Sequence, residues 1–104
     1  MLYDKVSVES FKSVLDEYED SPIQALIEQE GVGSVFDFQE LVINSAGGLI
    51  NIEDKLSKNS FTVKESEIVE ITDMFFTEEI NWREAAYEVK CKNNIKIHID
   101  ILDN

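Results

Sequence analysis

The fold of this chain is decided by residues 87–101, which read YEVKCKNNIKIHIDI. Apolar and polar side chains alternate on both sides of two asparagines, and a period of two residues is typical of strands with one buried face. A two-residue loop, Asn93-Asn94, would place apolar side chains opposite polar ones on both faces. A three-residue loop, residues 92–94 with Asn94 in the left-handed conformation, instead makes one face wholly apolar. The stretch therefore predicts a β-hairpin with the three-residue loop.

This loop also fixes the register of the hairpin. The pairs predicted on the apolar face are Cys91 with Ile95, Val89 with Ile97, and Tyr87 with Ile99. On the solvent face, Lys90 is expected opposite Lys96, a mildly unfavourable like-charge pair, and Glu88 opposite His98. Because burial of the apolar face outweighs this repulsion, we expect the register to form.

The residues before the hairpin continue the β pattern back to Gly48. Ile50 and Ile52 alternate with polar residues, as do Phe61 and Val63, and a polar turn at residues 57–59 separates the two pairs. Residues 65–76 fit a helix by the spacing of their apolar side chains and a strand by their Val, Ile and Thr content. We expect a strand there.

Residues 7–47 carry helix signals instead. Ser7 can cap a first helix, whose apolar side is predicted to be formed by Val8, Phe11, Val14, Leu15 and Tyr18. Ser21-Pro22 is a helix start signal for a second helix that ends near Glu30 and buries Ile23, Leu26 and Ile27. Ser34 and Asp37 resemble a capping box for a third helix, with Phe38, Leu41 and Val42 buried, that ends at Gly47-Gly48. The predicted fold is thus an α+β single domain over residues 1–104, with about three N-terminal helices (7–47) packed on a mostly antiparallel sheet (49–102).

Charge narrows the function classes. The chain has 22 Asp and Glu against 9 Lys and Arg, a net charge of −13 on 104 residues. Phosphate backbones and anionic membrane surfaces would repel such a chain, so we expect neither nucleic acid nor membrane as a direct partner. Residues 1–5 lack the basic and apolar pattern of a secretory signal, and Cys91 is the sole cysteine. We therefore expect a cytoplasmic protein in which Cys91 is a small buried residue of a strand.

Motifs for catalysis or metal binding are sparse. His98 is the only histidine, and its predicted neighbour Glu88 could form a proton-transfer pair with it, although an ordinary cross-strand pair explains the same residues. Zinc sites need several Cys and His ligands, and residues 31–34 (GVGS) lack the lysine and spacing of a phosphate-binding loop. We expect no enzymatic activity, no cofactor and no metal.

Two acidic groups are candidates for partner binding. The first lies at the end of the first predicted helix, where negative charge opposes the helix dipole, and its candidate residues are Asp16, Glu17 and Asp20. The second falls between Lys64 and Arg83, where no basic residue intervenes. Its candidates are Glu67, Glu70, Asp73, Phe76, Glu78, Glu79 and Trp82. Aromatic anchors among carboxylates are what a binder of a basic protein would present, although a half-buried strand would show the same pattern.

An acidic, single-domain, cytoplasmic chain of this kind resembles bacterial toxin-immunity proteins, including those of contact-dependent growth inhibition. The resemblance extends over the whole chain and implies that carboxylates occupy the groove of a basic nuclease toxin. On this basis we expect an immunity or inhibitor protein whose partner is a basic protein toxin.

Two alternatives remain open. The first is a DNA mimic that inhibits a nucleic-acid-binding defence protein, which requires carboxylates at phosphate-like spacing. The second is a small ligand-binding protein or enzyme in which the charge serves only solubility. This last alternative requires a concave pocket that contains His98 or Glu88.

Overall fold

The computed structural model describes residues 3–74 and 83–102. Within these ranges the chain forms nine strands and one α-helix, together with one turn of 3-10 helix at Glu65–Glu67. In chain order the elements are β1 (Tyr3–Val6), α1 (Val8–Glu17), β2 (Ile23–Gln29), β3 (Val32–Phe38), β4 (Leu41–Ala46), β5 (Leu49–Asp54), β6 (Ser60–Lys64), β7 (Ile68–Met74), β8 (Arg83–Cys91) and β9 (Ile95–Leu102). No helix in the described ranges is long and apolar enough to cross a membrane.

The strands form two sheets in which all pairs are antiparallel. One sheet has six strands in the order β1-β7-β8-β9-β2-β3, and the other has three in the order β4-β5-β6. We call the face of the large sheet that carries Ile97, Ile99 and Ile101 the inner face, because these side chains are buried in the core. The opposite face, which carries Lys96 and His98, is the outer face.

The C-terminal hairpin has the predicted register. Cys91 pairs with Ile95, Val89 with Ile97, Tyr87 with Ile99, Lys90 with Lys96 and Glu88 with His98. Asn94 has a φ of 60°, as the three-residue loop requires, and Asn93 is also left-handed with a φ of 65°. Local alternation and turn chemistry therefore determined this part of the structure.

The predicted α+β fold with three packed helices is wrong, because the second and third predicted helices are strands. Ile23, Ala25 and Ile27 alternate onto the inner face of β2 and lie opposite Ile101, Ile99 and Ile97 of β9, respectively. Ile23 and Ile27 are four residues apart, which is one helical turn and also two full strand periods. Their spacing fits both structures, and pairing with β9 decides for the strand.

The turns explain the remaining error in residues 31–47. Glu30 and Gly31 form a two-residue hairpin loop between β2 and β3, with φ values of 53° and 85°. Gly47 and Gly48, with φ values of 61° and 77°, form a second such loop between β4 and β5. Paired positive φ angles are typical of the tight turns that match strand twist. The glycines thus close hairpins and do not end helices.

Helix α1 is the helix that the sequence predicted correctly. The side chain of Ser7 accepts a hydrogen bond from the backbone N–H of Ser10 (3.1 Å) and so caps its first turn. Phe11 and Leu15 are buried, and the Phe11 ring lies edge-on to the Tyr87 ring, with centroids 5.4 Å apart. The helix therefore covers the inner face of the large sheet with its apolar side.

The three-stranded sheet packs into the same core. Ile50 and Ile52 of β5 are buried, and Phe61 of β6 lies edge-on to Phe38 of β3 at a centroid distance of 5.9 Å. Strands β5 and β6 agree with the strands predicted around residues 50–52 and 61–63. The strand expected over 65–76 is confirmed for Ile68–Met74, and Phe75 and Phe76 lie outside the described residues.

Candidate functional site

A groove of about 320 Å³ lies at the loop end of the β8–β9 hairpin. The residues that line it are Val69, Lys90, Cys91, Asn94, Ile95 and Lys96. Two local irregularities shape this end of the sheet. The loop turns through left-handed Asn93 and Asn94, and a shift of register between Ile68 and Glu70 takes Val69 out of the β7–β8 pairing.

The apolar part of the lining comes from β7 and from the last apolar pair of the hairpin. Val69 is 65% exposed, which is unusual for a valine in a strand of the large sheet. Cys91 and Ile95, which lie opposite each other, are half-buried and belong to the inner face. An apolar molecule at this position would remove these three side chains from water.

Cys91 is therefore less buried than the sequence analysis expected. It is a free thiol at the end of β8, in a strand as predicted but open to the groove. Burial raises the pKa of the Cys91 thiol above its ordinary value of 9.0, and the carboxylate of Glu67 raises it further. The raised pKa keeps the thiol mostly protonated at neutral pH, which slows its reactions as a nucleophile.

The polar part of the lining includes two lysines. Lys90 and Lys96 lie directly opposite each other on the outer face, and both are exposed. In the same row across the sheet, Glu70 of β7 pairs with Lys90 and Glu28 of β2 pairs with Lys96. Each lysine thus has one acidic and one basic cross-strand neighbour.

The two flanking carboxylates are engaged with other groups. Glu70 forms an ion pair with Lys5 at 3.6 Å and accepts a hydrogen bond from the Thr72 hydroxyl at 3.3 Å. Glu28 lies 3.2 Å from Nε2 of His98. In residues 3–74 and 83–102, no ion pair within 4.0 Å involves either Lys90 or Lys96. The like-charge pair is therefore left without a carboxylate in contact with it.

His98 occupies the next row along the outer face. Its Nε2 lies 3.2 Å from Glu28 Oε1 and its Nδ1 lies 3.6 Å from Glu88 Oε2. Only the contact with Glu28 is within hydrogen-bond distance, and the contact with Glu88 is longer. The sequence predicted Glu88 as a neighbour of His98, and Glu28 was missed because its strand, β2, was assigned to a helix.

The ligand-binding alternative required a pocket that contains His98 or Glu88. Neither residue lines the groove, so the groove differs in composition from the pocket that was expected. The groove lies beside them, since Lys96 is two residues before His98 on the same face of β9. Within the part of the chain that the structure describes, no group of three or more His, Cys, Asp or Glu residues has the geometry to hold a metal ion.

The first acidic candidate group lies at the end of α1. Asp16 and Glu17 are exposed in or beside its last turn. Asp20 is exposed as well, but its carboxylate accepts a hydrogen bond from Lys55 Nζ at 2.6 Å, and its backbone N–H bonds the carbonyl of Leu41 at 2.8 Å. Asp20 therefore helps to join α1 to β4 and β5, a structural role that its sequence position did not indicate.

The second acidic group is only partly described. Glu67 is exposed, and Glu70 and Asp73 are half-buried on β7, where Glu70 pairs with Lys5. The remaining candidates, Phe76, Glu78, Glu79 and Trp82, lie outside the described residues.

One member of each acidic group acts electrostatically on the same phenol, that of Tyr87. Burial raises the pKa of Tyr87, and Asp73, Tyr18 and Glu17 raise it further. Asp73 also lies directly opposite Tyr87 in the pairing of β7 with β8.

The Lys90–Lys96 pair was visible in the sequence, but it was interpreted only as a small cost of the hairpin register. The overlooked signal was the cluster of basic residues around this pair. Three of the nine basic residues, Lys90, Lys92 and Lys96, fall within residues 90–96, where no acidic residue occurs. Such clustering in a chain of net charge −13 is a local departure from the overall composition.

Comparison with known structures identifies a similar fold. No family model matches the chain, and no curated protein matches it. The structure is similar to the crystal structure of ChuX, with a TM-score of 0.62 and 18% sequence identity over 92% of this chain. The chain spans 61% of the length of the ChuX chain.

This likeness corrects the predicted function. ChuX is not a toxin-immunity protein. The expectation of an immunity or inhibitor protein that neutralises a basic toxin is therefore wrong.

Proposed function

We propose that this protein binds a small ligand with an apolar body in the groove at the end of the β8–β9 hairpin. The observation that carries the proposal is the groove itself, with a volume of about 320 Å³ and an apolar part formed by Val69, Cys91 and Ile95. Binding pockets for small molecules commonly have volumes of about 300 to 1,000 Å³ and combine apolar walls with a few polar groups. The groove lies at the lower end of this range.

The fold is compatible with the same class of function. This chain resembles the fold of ChuX over 92% of its length. At 18% identity the likeness carries the fold alone, so the ligand of this chain has to be argued from its own residues. No catalytic step forms part of the proposal.

Two probes test the proposal directly. One is the neutral fluorescent alcohol 1-pyrenebutanol, followed by its emission, and the other is hemin, followed by its absorption spectrum. We expect saturable binding of at least one probe to the whole chain, together with protection of the Cys91 thiol from alkylation. Protection would locate the probe in the groove because Cys91 is the sole cysteine and lines it.

Two matched valine variants locate the site independently. Val69 and Val32 are both exposed valines in strands, at 65% and 74%, but only Val69 lines the groove. Val69→Gln should weaken binding roughly tenfold, since burial of a valine side chain is worth about 1.5 kcal/mol. Val32→Gln should leave binding unchanged. Failure of both probes to bind, or equal effects of the two substitutions, would overturn the proposal.

A further inference from the structure

Strand β3 forms an edge of the large sheet, and half of its backbone polar groups point away from β2. The β2–β3 loop has two residues, and the pair that flanks such a loop exchanges backbone hydrogen bonds. The N–H and C=O groups of Gly33, Val35 and Asp37, which alternate with the bonded residues, therefore face away from the sheet. Asn59 agrees with this direction, because its side chain donates a hydrogen bond to the Asp37 carbonyl at 3.0 Å. In the described ranges no strand lies beside Gly33 and Val35 on this side.

Residues 32–36 (VGSVF), which we call the open edge, lack the features that usually protect an edge strand. Edge strands are commonly short, charged, interrupted by proline or distorted by a bulge. The opposite edge of this sheet follows that rule, since β1 has four residues, of which Asp4 and Lys5 are charged. The open edge contains no charge and no proline, in a chain of which 30% of the residues are charged, and its pairing with β2 is regular. A further strand can therefore add to it.

The carboxylates beside the open edge are held by their own sheet. Asp37 Oδ1 accepts a hydrogen bond from Nε2 of Gln24 at 3.0 Å, and Glu28 Oε1 lies 3.2 Å from Nε2 of His98. Both contacts run away from the edge, because Gln24 lies on β2 and His98 on β9. An uncharged strand can thus approach with little local repulsion.

Large and small side chains follow one another along the open edge in a self-complementary order. Val32, Ser34 and Phe36 lie on the inner face. Gly33 and Val35 lie on the outer face. Val32 is 74% exposed and Val35 is 57% exposed, so each face of the edge leaves one valine in water. A Cβ at Gly33 would lie 3.2 Å from two side chains of β2, so this position favours glycine.

We propose that β3 pairs antiparallel with β3 of a second copy of this chain, about a twofold axis at Ser34. In this register Val32 lies opposite Phe36 of the second copy on the inner face, and Val35 lies opposite Gly33 of the second copy on the outer face. Each valine thus loses contact with water, and large side chains meet small ones on the outer face. The outward backbone groups of Gly33 and Val35 exchange four hydrogen bonds between the copies.

The ends of the open edge favour this register over its neighbour. A twofold axis at Val35 would use the carbonyl of Asp37, which Asn59 already bonds. With the axis at Ser34, Asp37 and Asn59 lie beside Gly31 of the second copy, which has no side chain and is exposed. A second copy is favoured over an unrelated strand because the same five residues supply both halves of the fit. The proposal goes beyond the proposed function, since no residue of β3 is among those that line the groove.

Sedimentation equilibrium of the whole chain tests the association. A single strand pair buries less than a standard interface, so we expect a weak dimer whose mass rises from 11.9 kDa towards twice that value between about 0.02 and about 1 mM. Each copy has a net charge of −13, and the contact itself is uncharged. An increase in NaCl from about 0.05 M to about 0.5 M should therefore strengthen the association, because salt screens the repulsion between the copies.

Two matched lysine variants locate the surface. Val35 and Val69 are exposed valines in strands of the same sheet, at 57% and 65%, but only Val35 lies on the open edge. Val35→Lys should weaken the association about tenfold or more, since a charged side chain replaces a valine that the contact buries. Val69→Lys makes the same change of net charge and should not weaken it. A general effect of charge would strengthen the association in both variants, which is the opposite result for Val35→Lys.

Cysteine cross-linking tests the register. In a Cys91→Ser background, Ser34→Cys places two thiols across the twofold axis, where the Cα atoms of such a pair lie about 4.5 Å apart and a disulfide can form. Val32→Cys lies on the same face of the same strand, but its Cα would be about 14 Å from that of Val32 in the second copy. Mild oxidation with copper phenanthroline should convert Ser34→Cys to a covalent dimer at least about five times faster than Val32→Cys.

Three results would overturn the proposal. A mass of 11.9 kDa at every concentration would leave the open edge to a different partner. Equal masses for Val35→Lys and Val69→Lys would place the contact elsewhere on the chain. Equal rates of cross-linking at positions 32 and 34 would exclude a twofold axis at Ser34. None of these results depends on whether the groove binds a ligand.

Discussion

Nε2 of His98 and Oε1 of Glu28 lie 3.2 Å apart, although 70 positions separate the two residues in the chain. The contact exists because β2 pairs with β9, and it fixes one carboxylate that would otherwise be available to Lys96.

A double-mutant cycle measures this contact. His98→Ala, Glu28→Ala and the double variant should give a coupling free energy of about 0.5 kcal/mol in urea unfolding, the range of partly exposed ion pairs, and it should fall in high salt. A second cycle between His98 and Glu53, which lies on the other sheet, should give no coupling. Equal coupling in the two cycles would refute a direct interaction.

Asp54 should make the protein sensitive to strong acid. Its carboxylate is 6% exposed and accepts hydrogen bonds from the backbone N–H groups of Glu40 (3.0 Å) and Leu56 (3.1 Å) and from the Ser57 hydroxyl (2.8 Å). Burial by itself would raise the pKa of Asp54, but these bonds outweigh it and lower the pKa from 3.8 to about 2.

Because the pKa of Asp54 is lower in the folded chain, its stabilising effect is fully present above about pH 4 and is lost as the pH falls towards 2. Asp54→Asn should lower the free energy of unfolding by about 2 kcal/mol at pH 7, since it turns an acceptor into a donor facing N–H groups. The difference from wild type should shrink between pH 4 and pH 2. Asp37→Asn, at an exposed carboxylate, is the control, and a pH-independent difference would contradict the assignment.

The Glu30-Gly31 turn predicts a stabilising substitution. Glu30 has a φ of 53°, a conformation that asparagine adopts more readily than glutamate. Glu30→Asn should raise the free energy of unfolding by about 0.5 to 1 kcal/mol in urea titrations. Glu19→Asn removes the same charge at an exposed residue without a positive φ and should have no such effect. Equal stabilisation by both changes would point to net charge instead.

The Cys91 thiol should react slowly with iodoacetamide. Burial and then Glu67 raise its pKa above 9.0, so the pH at which alkylation reaches half its maximal rate should lie above that of a cysteine in an unfolded peptide. Glu67→Gln should shift this midpoint to lower pH. Glu53→Gln, on the other sheet, should leave it in place, and identical profiles for Glu67→Gln and wild type would remove Glu67 as a cause.

Leu15 should be critical for stability because it joins α1 to the core. It is 0% exposed, and Leu15→Ala should lower the free energy of unfolding by about 3 kcal/mol. Ser13→Ala, at an exposed position on the same helix, should change it by less than about 0.5 kcal/mol. A small effect of Leu15→Ala would mean that α1 does not pack on the large sheet as described.

The sequence by itself determined the parts of the fold that depend on neighbouring residues. A three-residue loop at residues 92–94 allows only one hairpin register with a continuous apolar face. The capping residue Ser7 and the spacing of the apolar residues after it specify helix α1. The excess of acidic residues and the basic cluster at 90–96 are likewise readable without a structure.

Tertiary structure decided the state of residues 21–47 and the composition of the site. The spacing of Ile23 and Ile27 fits a helix and a strand equally well. Pairing with β9 selects the strand, because it buries Ile23 and Ala25 beside Ile101 and Ile99. The groove joins β7 to a hairpin about twenty residues later, and the contacts of Glu28 with His98 and of Glu70 with Lys5 cross between strands. Such non-local contacts have no signature in a short window of sequence, because each depends on which strands become neighbours.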